Sequence, residues 1–116
     1  MDSPLQQKSF LFATHIINLS RKVKQVYNEY DVSRQILKSG TSIGANIRES
    51  RNAQSPTDFI SKLSIALKEA DETQYWLELI NACNMMSDED FNKTNKELKE
   101  IIAMLTSSIK TVKSKL

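Results

Sequence analysis

Three times in this chain a serine stands one residue ahead of a helix-forming pattern, with an acid or amide close behind it. Ser3-Pro4 is followed by Gln6, Ser55-Pro56-Thr57 by Asp58, and Ser87 by Asp88, Glu89 and Asp90. A serine at the N-cap accepts one of the backbone N–H groups that every helix leaves unpaired, and Gln6 completes a capping-box pattern with Ser3. Proline fits the first helical position, and acids such as Asp58 meet the positive end of the helix dipole. These signals cut 116 residues into long unbroken stretches, and two Gly and two Pro leave little material for turns. No period-two alternation competes, so the chain reads as helices joined by short loops.

Within each stretch apolar residues return at steps of three and four. The first helix, about residues 4–27, has an inner face of Leu5, Phe12, Ile16, Leu19, Val23 and Val26 or Tyr27. The second, about 32–52, takes Asp31 as its expected N-cap and centres on Ile36, Gly40, Ile43 and Ile47. The third, about 56–84, buries Phe59, Leu63, Ala66, Ala70, Leu77 and Ile80. The fourth, about 88–114, offers Phe91, Leu98, Ile101, Ile102, Leu105, Ile109, Val112 and Leu116. Loops of a few residues force consecutive helices to lie antiparallel. The expected fold is all-α: one domain over residues 1–116, an antiparallel up-down-up-down four-helix bundle.

Two features do not fit a plain bundle. Beside the apolar centre of the second helix runs a polar stripe, Ser39, Ser42, Asn46 and Glu49. A polar group bordering a core costs about 1–3 kcal/mol if unpaired, so the stripe calls for partners across the seam with the third helix or a subunit boundary. For Asn46 and Glu49 the candidates are Lys68, Glu72, Thr73 and Arg48, and the expected role is packing register. The third helix also carries a second apolar stripe, Ile65, Trp76, Leu79 and Cys83, and the first places Phe10 and Ile17 off its core face. One seam per helix cannot bury both sets, which makes these residues candidates for an oligomer interface.

Catalytic chemistry finds few parts. One His and one Cys cannot build a zinc site or a Cys–His nucleophile, no Glu-x-x-His pair exists for di-iron chemistry, and no phosphate-binding glycine loop is present. His15, beside the inner face of the first helix, reads as structural. Glu49, Glu69 and Glu72 are the remaining acid–base candidates, but with no nucleophile or metal signature they read as ion-pairing and interface polarity. No catalytic residue, metal, cofactor or small-molecule substrate is expected. A single Cys83 fits a reducing compartment, no apolar run reaches the ~20 residues of a membrane span, and the start lacks a secretory pattern, so the expected location is cytoplasmic. With 16 basic and 14 acidic residues the net charge of +2 does not decide for nucleic acid. Arg34, Lys38, Arg48 and Arg51 on the second helix are the nucleic-acid candidates, to be weighed against salt bridges with the acidic third helix. Lys110, Lys113 and Lys115 at the end of the fourth helix complement its dipole.

Read together, Ser39 and Ser42, then Asn46-Ile47-x-Glu49, then Ser55-x-x-Asp58-Phe59, then Lys68-Glu69-Ala70-x-Glu72-Thr73-x-Tyr75-Trp76-Leu77 form a joint motif. It resembles the four-helix-bundle family named for reading frames in the intervening sequences of 23S ribosomal RNA genes, over about residues 8–110. The resemblance implies a protomer that closes into a homo-oligomeric ring, usually a pentamer, with no established enzymatic activity. The chain is also similar to the accessory protein of diversity-generating retroelements, a basic pentameric bundle that binds nucleic acid and a reverse transcriptase. The expected function is therefore a non-catalytic, self-assembling interaction module whose partner is RNA, other nucleic acid or a protein. The alternative is a structural or regulatory protein-binding ring with no nucleic-acid contact.

Overall fold

The computed structural model describes residues 3–116. Four helices follow one another, α1 (Pro4–Tyr27), α2 (Tyr30–Ser50), α3 (Pro56–Ala82) and α4 (Asp88–Lys113). Ser3, Ser55 and Ser87 cap α1, α3 and α4, their hydroxyls accepting from Gln6 N at 3.2 Å, Asp58 N at 3.0 Å and Asp90 N at 3.1 Å. Asp58 also reaches back to accept from Gln54 N at 3.2 Å. Gln6 does not complete its box: its Oε1 is buried without a hydrogen-bond partner.

The entry to α2 departs from the sequence reading. Asn28 takes the left-handed conformation, φ 54, and ends α1 with its N–H on Val23 O. That reversal leaves Glu29, not Asp31, at the N-cap, its carboxylate accepting from Asp31 N at 3.1 Å and Val32 N at 3.2 Å. Asp31 instead pairs with Arg34 at 2.7 Å. Asparagine tolerates the left-handed region better than most residues, so two residues suffice for the turn. Asn84, φ 61, makes the same move after α3, which ends two residues earlier than expected.

Side-chain pairs across the seams run in opposite chain order. Lys8 pairs with Glu100 and His15 with Glu97 between α1 and α4. Gln74 meets Asn95, and Asn81 meets Asp88, between α3 and α4. Gly40 abuts Ile16, and Gly44 abuts Ser9, between α1 and α2. The bundle is 47 Å long and 23 by 21 Å across. Its core stacks Phe12, Ile16 and Val23 of α1 on Ile36, Ile43 and Ile47 of α2, Leu63, Leu77 and Ile80 of α3, and Leu98, Ile101 and Leu105 of α4. Each of these larger side chains contributes about 1.5–3 kcal/mol on leaving water. The expected faces overreach only at the ends: Val26 and Tyr27 in the last turn of α1, and Leu116 beyond the end of α4, are exposed. No helix among the described residues is long and apolar enough to cross a membrane.

Candidate functional site

The polar stripe of α2 resolves into one cross-helix contact. Ser39 and Thr73 are buried, and their hydroxyl oxygens lie 2.9 Å apart across the α2–α3 seam. Thr73 Oγ1 is also 2.7 Å from the carbonyl oxygen of Glu69 in its own helix. Each hydroxyl has one proton and two lone pairs, so this short chain satisfies both groups. The other stripe residues do not cross the seam. Ser42 donates to Lys38 O at 2.7 Å, and the half-buried Asn46 donates to Ser42 O at 2.8 Å, both within α2. Glu49 and Lys68 face solvent, and Glu69 is half-buried. Glu72, also exposed, accepts a long 3.5 Å contact from Trp76 Nε1 rather than an ion pair from Lys68.

The leftover apolar residues fall on two separate outer faces. A groove of about 450 Å³ lies between α1 and α2, with Phe10, Ala13 and Ile17 on one wall and Gly44 and Ala45 on the other. Two small residues on α2 let the helices approach and keep the groove open to the outside. Phe10 is 60 % exposed, and the Arg48 guanidinium sits over its ring, 5.8 Å from the centroid. Arg48, Glu49 and Asn52 form the polar rim. The second face follows Thr73 along α3: Trp76, three residues on, is half-buried against the core, Leu79 is half-buried, and Ile65 stays exposed. Tyr75, 57 % exposed, packs edge-on against Trp76 with centroids 4.9 Å apart. Cys83 is free and exposed at the C-cap of α3.

The cations of α2 do not form one belt. Arg34 and Lys38 stand near its start and Arg48 and Arg51 at its end, roughly 20 Å apart along the axis at 1.5 Å per residue. What sequence reading missed lies beside the first pair: Arg21 and Lys24 of α1 and Tyr30 of α2. The signal was present, since a short turn between antiparallel helices must set the last turns of α1 against the first of α2. Among the described residues no group of His, Cys, Asp or Glu side chains is arranged to hold a metal ion. His15 Nδ1 lies 2.9 Å from a Glu97 oxygen and ties α1 to α4.

The family model described as the 23S rRNA-intervening sequence protein matches residues 1–107. A crystal structure of a protein of unknown function from the S23 ribosomal protein family of Bacteroides thetaiotaomicron is similar over 91 % of this chain and 98 % of that one, at 49 % identity and a TM-score of 0.90. No curated protein matches the chain.

Proposed function

The chain belongs to the 23S rRNA-intervening sequence protein family, and we propose that it works as a non-catalytic interaction module that assembles with copies of itself in the cytoplasm. The observation that carries this reading is the pair of unlike apolar faces only partly covered within the protomer: the Phe10 groove between α1 and α2, and the flank of α3 where Ile65 and Tyr75 are exposed and Trp76 is half-buried. Exposed apolar surface of this kind marks interaction sites. Two different patches on one molecule make a head-to-tail contact, and such contacts close into rings when the rotation permits. The rim of the groove carries both Arg48 and Glu49, and Arg48 is the cation set to meet Glu69 or Glu72 beside Trp76. A ring of five is the form that the family likeness suggests.

Charge reversal tests the contact. Arg48→Glu or Glu72→Arg alone should lower the assembled mass, and the two reversals together should restore it. Single variants that keep the wild-type mass would overturn the proposed match. The assembled module presents either a protein-binding ring or a nucleic-acid surface, and the cations bordering the α1–α2 groove favour the second.

A further inference from the structure

We propose that the α1–α2 end of each protomer is a binding site for single-stranded nucleic acid, centred on Arg21, Lys24, Arg34 and Tyr30. These residues, with Leu37, border a groove of about 260 Å³ where the last turns of α1 lie against the first turns of α2. Between Ser20 and Lys38 the sequence carries five cations, Arg21, Lys22, Lys24, Arg34 and Lys38, against two carboxylates. Glu29 caps α2, and Asp31 pairs with Arg34 at 2.7 Å, so Asp31 offsets part of the Arg34 charge while Arg21 and Lys24 face no carboxylate in the groove. Of the five cations, Arg21, Lys24 and Arg34 border the groove, whose lining holds no carboxylate, while Lys22 lies on another side of α1 beside Asp90 and Glu97 of α4. Nothing in the bundle requires this arrangement, since one lysine would suffice to complement the α1 dipole.

The aromatic decides the class of ligand. Tyr30 is 54 % exposed, and Lys24 Nζ lies 5.9 Å from its ring centroid, a cation–π contact that steadies the ring. Cations that track a phosphate backbone beside an exposed ring on which a base can stack are the two components of single-strand recognition. A duplex keeps its bases stacked on each other and could use only the cations. An acidic peptide would likewise use the cations and leave Tyr30 idle. The site is complete on one protomer and does not depend on self-assembly.

The test is fluorescence anisotropy with a labelled 12-nucleotide oligo-U RNA, beside single-stranded DNA, a duplex of equal length and a poly-glutamate peptide, at low and moderate salt. Wild-type protein is expected to bind both single strands more tightly than the duplex or the peptide. Affinity should fall with salt at a log–log slope of about −0.7 per phosphate neutralised. Arg21→Ala, Lys24→Ala and Arg34→Ala combined should weaken binding at least tenfold and flatten the slope by about two. Tyr30→Ala should weaken it about fivefold or more while leaving the slope unchanged. Arg51→Ala, at the far end of α2, is the control and should bind as wild type. Circular dichroism and melting establish that each variant is folded. The proposal is overturned by no binding at low salt, by equal affinity for duplex or peptide, or by a folded triple variant that binds normally. It is also overturned if Lys24→Glu dissociates an assembly, which would assign the corner to a contact between copies.

Discussion

Gly40 meets Ile16 more closely than any larger residue could: a Cβ built at Gly40 would lie 2.7 Å from Cγ2 and 3.2 Å from Cβ of Ile16. The obstructing atoms belong to the branched base of a fully buried side chain on α1, which has no room to turn. A Cβ built at Gly44, one turn on, would lie 3.4 Å from Ser9 O and Oγ, an ordinary van der Waals contact. Gly40→Ala should therefore destabilise the bundle by about 1–3 kcal/mol through overpacking, despite alanine's better helix propensity. Gly44→Ala should be neutral or stabilising by up to about 1 kcal/mol. Urea denaturation of the two variants checks this, and equal effects would contradict the close approach.

The Ser39–Thr73 hydroxyl pair carries a coupling that can be measured. Thr73→Val keeps the shape and removes the hydroxyl, leaving Ser39 with only a 3.5 Å contact to Ile36 O. A loss of about 1–2 kcal/mol is expected. Ser39→Ala in the same chain should cost less than the two losses added, because the second change no longer strands a partner. Strict additivity in the double-mutant cycle would show that the hydroxyls do not stabilise one another.

What could be read in the sequence, and what could not, follows from the range of each interaction. Caps and apolar spacing are local, so Ser3, Ser55 and Ser87 and nearly all core residues were legible without coordinates. The need for partners along the stripe was legible too, but Thr73 was expected to meet Asn46 or Glu49 and instead meets Ser39. The N-cap of α2 was misread because aspartate is the better capping residue by preference, while the turn geometry set by Asn28 selects Glu29. Asn46 has the same origin in reverse. Its amide reaches the carbonyl one turn back at 2.8 Å, so the seam was not needed to satisfy it. The basic corner depends on two helices being side by side, and a list of charges along one helix could not reveal it.

Glu100 gives a pH-dependent reading of the α1–α4 seam. The hydrogen bond from Lys8 at 2.7 Å, and then the lysine's charge, hold its carboxyl below the ordinary value of 4.5. A depressed folded-state value means that the contribution is present above pH 4.5 and is lost as pH falls through the folded value. Both side chains are about half exposed, so the effect on stability is small. Carbon-detected NMR titration of Lys8→Met should show Glu100 rising toward 4.5. An unchanged titration would mean that the pair is not formed in solution.

Self-assembly is the claim on which the functional reading rests, and the mass of the wild-type protein in solution tests it most directly. Light scattering coupled to size exclusion, at concentrations from micromolar upward, should return a multiple of the 13.2 kDa chain, with five copies as the expected value. A stable mass of one chain at every concentration would contradict it, leaving the Phe10 groove and the Trp76 flank without the partner assigned to them.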